Sequence, residues 1–146
     1  MPDKCKPKMQ NLLAALRAVG FLHHTAHWQA KGPTFYGDHL LLERLYSGIT
    51  DEVDGLGERM TAMFGGDAVD AEGAIDRMAA AVKKYAGTKD QLRNLLNMEK
   101  NLQALIASLL TDLESEGELD ADLENYLQGL ASAHKTAVYL LGQRLA

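Results

Sequence analysis

Residues 36–64 read YGDHLLLERLYSGITDEVDGLGERMTAMF, and this stretch decides the fold. Leu41, Leu42, Leu45, Ile49, Val53, Leu56 and Met60 recur at the period of one buried helix face. Gly65 and Gly66 follow with the backbone freedom that ends a helix, so a single helix is predicted over 36–64. The same segment carries a second pattern. His39 and Glu43 are four residues apart, as are Asp54 and Glu58. At about 100° per residue all four fall within a stripe about 100° wide. Tyr46, Ser47 and Thr50 lie on that stripe between them, and the latter two are small enough for another helix to approach. Carboxylate oxygens and imidazole nitrogens, with no cysteine among them, suit iron, manganese or zinc. Yet Glu43 and Asp54 are eleven residues apart, which is roughly 16 Å along the axis at about 1.5 Å per residue. Two such clusters on one helix cannot close around one centre. A second copy packed antiparallel about a two-fold axis would bring the Asp54/Glu58 end of one chain to the His39/Glu43 end of the other. The expectation is a metal site shared between subunits.

The rest of the chain reads as helix as well. A first helix is expected over 9–30, with Leu12, Leu13, Leu16, Val19 and Leu22 on one face, and Lys31-Gly32-Pro33-Thr34 breaks it. Residues 67–87 form a longer connection with a short helix over 71–85, where Ile75, Met78 and Val82 share a face. A third long helix is expected over 88–114, with Thr88 as N-cap and Gln91 three positions on, and a fourth over 119–144. Leucine and alanine dominate the 47% of hydrophobic residues while Val, Ile, Phe and Tyr are sparse, which favours helix over sheet. The expected fold is all-α, a four-helix bundle with a short extra helix in the long connection between helices 2 and 3. Among bundles, that single crossover is the ferritin-like layout. Residues 1–8, MPDKCKPK, read as a mobile basic tail ahead of one domain over 9–146.

A net charge of −5 and a pI near 5.5 argue against a general nucleic-acid binder and suit metal cations. Cys5 is the only cysteine, so no intrachain disulfide forms and a reducing compartment is expected. No apolar run of about 18 residues and no signal-peptide pattern are present, so a cytoplasmic protein without a membrane partner is expected.

The segment His27-Trp28-Gln29-Ala30-Lys31-Gly32-Pro33-Thr34-Phe35, followed by His39, Glu43 and Asp54-Gly55-Leu56-Gly57-Glu58-Arg59, resembles the Dps mini-ferritins, the DNA-binding proteins from starved cells. The steps of +12, +16, +27 and +31 from His27 all match that family's pattern. The resemblance implies a ferroxidase centre at a two-fold interface, with His27, His39 and Glu43 from one subunit and Asp54 and Glu58 from its partner. It further implies a hollow homo-oligomeric cage of twelve subunits. There Fe²⁺ is oxidised by hydrogen peroxide or dioxygen and stored as a ferric mineral, which protects DNA from oxidative damage. Iron in a di-iron centre is the implied metal, with zinc as a possible substitute. Glu43 stands where the family more often has aspartate. Trp28 matches a family tryptophan beside the centre, readable as an electron donor or as interface packing. Ordinary ferritins use Glu-x-x-His motifs inside one bundle, and no Glu here has a His three residues later.

Each ligand taken singly also fits a solvated helix position; the joint spacing singles them out. His23, one turn before His27, reads as a surface position, a supporting partner or an extra ligand. His24 and His134 receive no role, and Cys5 reads as a surface thiol. The acidic run Glu114, Glu116, Glu118, Asp120, Asp122 and Glu124 reads as a solvated turn into the fourth helix. In the family such acids line three-fold pores that admit Fe²⁺, and Glu118 and Asp122 match those positions best. Lys4, Lys6 and Lys8 on so acidic a body imply weak or absent DNA binding. Two competing classes stay open: a DNA-compacting structural protein, and a shell whose site binds zinc or nothing.

Overall fold

The computed structural model describes residues 4–146, which form helices joined by turns, with no strand among them. The helices are α1 (Cys5–Gln29), α2 (Phe35–Ser47), α3 (Ile49–Phe64), α4 (Ala71–Tyr85), α5 (Gln91–Ser115) and α6 (Ala121–Leu145). A short 3₁₀ turn, Gly66–Val69, links α3 to α4. α2 and α3 occupy the segment expected as one helix. The break is Gly48, the residue that most weakens a helix interior after proline. Glu52 N–H still reaches the Gly48 carbonyl at 3.3 Å, so the two halves act as one arm of the bundle. With that arm counted once, four long arms surround one core and α4 sits in the crossover.

α1 is the hub, packing against α2, α3, α4 and α5, while α5 pairs with α6. Met9, Leu12, Leu16 and Val19 of α1 meet Leu56 and Met60 of α3, Leu102, Ile106 and Leu109 of α5, and Leu127 and Leu141 of α6 in one continuous apolar cluster. Side chains of this size contribute about 1.5–3 kcal/mol each when fully buried, so the core dominates stability. α4 caps its own N-terminus through Asp70, which accepts from Gly73 N–H at 2.8 Å. It buries none of its residues, and it leaves an open groove of about 940 Å³ against α1 and α3.

Two boundaries differ from expectation. Of the basic tail expected over 1–8, residues 5–8 form the first turn of α1, while 1–3 lie outside the described residues. Cys5 and Met9 are buried in the core, Pro7 falls in the first turn where a missing N–H costs nothing, and Lys8 pairs with Asp112 of α5. Cys5 is therefore not a surface thiol; its Sγ contacts Glu116 Oε2 at 3.1 Å. α5 begins at Gln91 rather than at 88, because Asn94 Nδ2 draws the Gly87 and Lys89 carbonyls (3.0 and 3.2 Å) into a separate loop.

Gly55 sets how closely α3 approaches α6. A Cβ there would lie 2.8 Å from the Tyr126 ring, which also carries the Arg59 guanidinium 4.1 Å from its centroid. Gly55→Ala should therefore lower unfolding free energy by about 1–3 kcal/mol, overpacking outweighing the helix propensity gained. Gly129→Ala, with nothing within 4 Å of its would-be Cβ, should instead gain up to about 1 kcal/mol. Urea midpoints of the two variants test the contrast.

Candidate metal centre

α1 ends and α2 begins with a pair of histidines that lock one another. His27 Nδ1–H donates to the His39 carbonyl at 2.6 Å, and His39 Nδ1–H donates to the His27 carbonyl at 2.8 Å. A carbonyl only accepts, so each ring carries a proton on Nδ1, and Nε2 is the nitrogen left to bind a metal. Metal-binding imidazoles are commonly oriented by such a bond from the second nitrogen. The two rings stack with centroids 3.6 Å apart and 13° between planes, and Phe35 stacks on the far side of His39 at 4.9 Å. The loop between the helices is tied down by Arg144 at the end of α6, which holds Asp38 through Nε at 2.6 Å and Thr34 Oγ1 at 3.2 Å. That bond, with burial opposing it, keeps the Asp38 carboxyl below its usual range. The start of α2, and His39 with it, is thus clamped.

The acids are placed differently. Glu43 lies one turn beyond His39 and is exposed, as are Asp54 and Glu58 on α3. Asp54 and Glu58 line the α1/α3/α4 groove with Thr50, Gly57 and Thr61. One chain therefore brings His27 and His39 together and leaves the carboxylates open to solvent. Among the described residues of one chain, no group of three or more Asp, Glu, His or Cys side chains is arranged to hold a metal ion. Trp28 is 66% exposed in the single chain.

Of the two pore candidates, Asp122 is already engaged. Its carboxylate takes Arg59 Nε at 2.9 Å and Nη2 at 3.0 Å, a two-pronged pair. Glu118 is exposed, in the turn between α5 and α6. Asp120 is the N-cap of α6, accepting from Leu123 N–H at 2.8 Å, and Glu116 contacts Cys5, so both serve the fold.

The structure also holds a buried network that sequence reasoning missed. Glu99 of α5 is fully buried and accepts from His23 Nε2 at 2.8 Å and His134 Nδ1 at 2.7 Å. His134 Nε2 donates on to Glu52 at 2.7 Å, so α1, α5, α6 and α3 each contribute one group. His23 is no surface position: it is wholly buried. Burial pushes the Glu99 carboxyl up, but the hydrogen bonds from His134 and His23 prevail and hold it below its ordinary value. Burial pushes His134 down, yet its bonds to Glu52 and Glu99 hold it up at about 9. A histidine with a raised folded-state pKa adds stability that is complete below its unfolded value and lost as pH rises through the folded one. The thermal midpoint of the apoprotein should thus fall between about pH 6.5 and 9, on the order of a few kcal/mol in stability. His134→Gln should flatten that slope; an unchanged slope would rule out a charged His134.

A helical bundle with one crossover, carrying paired histidines and helix-borne carboxylates, is of the ferritin-like class, and residues 8–145 match the family model for the ferritin-like domain. A Helicobacter pylori (strain J99) protein named DNA protection during starvation protein is 30% identical over 97 residues, 65% of this chain and 67% of that one. The chain belongs to the Dps family of ferritin-like proteins. An uncharacterised low temperature-induced protein of Nostoc sp. is 26% identical over 118 residues, 79% of this chain but 65% of that protein, so the chain spans less than two thirds of that relative's length. Two solved Dps structures share the fold at 18% identity. The Vibrio cholerae O1 protein has a TM-score of 0.82, covering 98% of this chain and 89% of its own. The Thermosynechococcus elongatus protein has a TM-score of 0.85, covering 98% and 90%. The former is described as a member of a broad superfamily of ferritin-like diiron-carboxylate proteins. No helix among the described residues is long and apolar enough to cross a membrane.

Proposed function

We propose that this protein is a ferroxidase that oxidises Fe²⁺ at a centre built between two copies of the chain and stores the product as a ferric mineral inside a twelve-subunit shell. One observation carries the reading: the reciprocal His27/His39 hydrogen bonds, which lock two parallel imidazoles through Nδ1 and leave Nε2 of each as the nitrogen for a metal. His27, His39 and Glu43 of one subunit would hold iron together with Asp54 and Glu58 of the partner subunit. The donor set suits iron, and zinc competes for it. Two Fe²⁺ give one electron each to hydrogen peroxide, which takes up two protons and leaves as two waters; dioxygen is the slower oxidant. The carboxylates compensate the added positive charge, and the imidazoles, fixed by their carbonyl bonds, need not reorganise. Exposed Glu118 would attract Fe²⁺ toward the shell. Consumption of both peroxide and Fe²⁺ removes the reactants that would otherwise damage DNA. Duplex DNA is not itself a ligand in this reading, because Lys8 is spent on Asp112 and the body is acidic.

The test is anaerobic loading of the purified apoprotein with Fe²⁺, followed by limiting peroxide or air while ferric absorbance is recorded. The expected result is peroxide-driven oxidation well above a protein-free control, ending in a soluble ferric product. Oxidation at the control rate, or precipitated rust, would overturn the reading in favour of an idle shell.

A further inference from the structure

His24 is a histidine to which the set of five ligands gives no task. Among the described residues it is also the one histidine whose ring makes no hydrogen bond. Ring contacts set its orientation instead. It stacks on Tyr46 of α2, with centroids 4.2 Å apart and 22° between planes, and lies 4.1 Å from the Trp28 ring. The half-buried imidazole is thus held in place with both nitrogens left over. It stands beside the centre. His24 precedes His27 by three residues on one face of α1, and the two ring centroids are 6.1 Å apart. On α2, His39, Glu43 and Tyr46 fall within about 60° of one another at about 100° per residue. His39 stacks on His27, and Tyr46 touches both His27 and His24. Glu43, one turn from each of these α2 neighbours, therefore lies on the stripe between residues that meet the two α1 rings.

We propose that His24 is a sixth ligand of the shared centre, binding one of its two metal ions beside Glu43. The proposal rests on the ferroxidase reading above and adds a donor to its set. The distances allow it. Imidazole nitrogens bind a metal at about 2.0–2.1 Å, and paired ions stand about 3.5–4 Å apart. Rings 6.1 Å apart can serve one ion or two neighbours. The donor count favours it too, because five side chains shared between two ions leave positions open on both. Glu43 carries one methylene more than the aspartate commoner in the family, which lengthens its reach toward an ion shared with His24. A third imidazole also moves the site's preference away from manganese, which suits carboxylates, toward iron and zinc.

The experiment titrates the assembled apoprotein with Co²⁺ in the absence of oxygen, reading bound metal by equilibrium dialysis and its coordination by visible absorption. The wild type should take two Co²⁺ per centre. His24→Phe keeps a ring against Tyr46 and Trp28 but removes both nitrogens. It should weaken one of the two binding steps by about tenfold or more and alter the absorption of that ion. Glu43→Asp should weaken the same step, and the double variant should lose less than the two single losses combined, since both act on one ion. Wild-type affinity and absorption in His24→Phe, with His39→Ala impaired, would overturn the sixth ligand and leave the ferroxidase reading standing. Fully additive losses would overturn the ion shared with Glu43. Co²⁺ bound alike by the wild type and His39→Ala would overturn both proposals.

Discussion

Replacing Glu99 by alanine should lower the unfolding free energy by about 3–5 kcal/mol, the range for breaking a buried charge pair from one side. Glu99 is wholly buried and is the shared acceptor of His23 and His134, so its loss orphans two ring nitrogens at once. Among the described residues His23 Nδ1 has no hydrogen-bond partner, which leaves that ring dependent on its bond to Glu99. His134 would keep Glu52, which is partly open to water, and its imidazolium would be held less firmly. Glu99→Gln preserves the volume and one polar contact and should cost less. Urea unfolding of the apoprotein at one fixed concentration measures both, since the stability of an oligomer depends on concentration. A Glu99→Ala loss within about 0.5 kcal/mol of zero, as at an indifferent surface site, would show that the network adds nothing to stability.

The second large effect concerns the centre itself. His39→Ala and Asp54→Ala should each slow peroxide-driven iron oxidation by about a hundredfold or more, beyond what loss of a supporting group alone brings. Both should keep the fold, because His39 is only half-buried and Asp54 is exposed. Co-assembly of the two variants separates a shared centre from one made within a chain. At a two-fold interface each mixed pair has one centre in which both mutations meet and one in which neither is present. Random mixing should therefore restore about one quarter of wild-type activity. A centre made within one chain would restore none, and that outcome would sink the two-fold arrangement.

The helices themselves were readable from residue spacing, because a buried helical face repeats every three or four residues wherever it occurs. The match of α4 to 71–85 and the placement of α6 follow from this. The break at Gly48 is not legible in spacing, because one glycine within a strong apolar pattern weakens a helix without announcing whether it will break. The helical course of residues 5–8, expected as tail, has a similar cause. Two prolines and three lysines look solvated, yet Cys5 and Met9 fall one turn apart and bury against the bundle, and Lys8 finds Asp112. Neither event leaves a trace in so short a segment.

The Glu99 network had a faint signal. Glu99 lies between Leu95 and Leu102 on the buried stripe of α5, His134 between Leu130 and Leu141 on that of α6, and His23 between Val19 and Ala26 on that of α1. A polar residue on a buried stripe requires a partner. Which partner it finds is a matter of how four helices meet, since the residues are far apart in the chain.

By itself, then, the sequence determined the all-helical class, the crossover and the stripe of His39, Glu43, Asp54 and Glu58, because these depend on local periodicity. Only the tertiary structure decided that His27 and His39 donate through Nδ1, to carbonyls brought together from two different helices. It alone decided that Arg59 pairs with Asp122, that His23 is buried, and that a histidine–glutamate chain crosses the core. The physical reason is common to all of these. Periodicity tells which face of a helix is covered, whereas hydrogen bonds and ion pairs act over about 3 Å. At that range the partner is chosen by the packing of one helix against another, and spacing along one chain does not encode it.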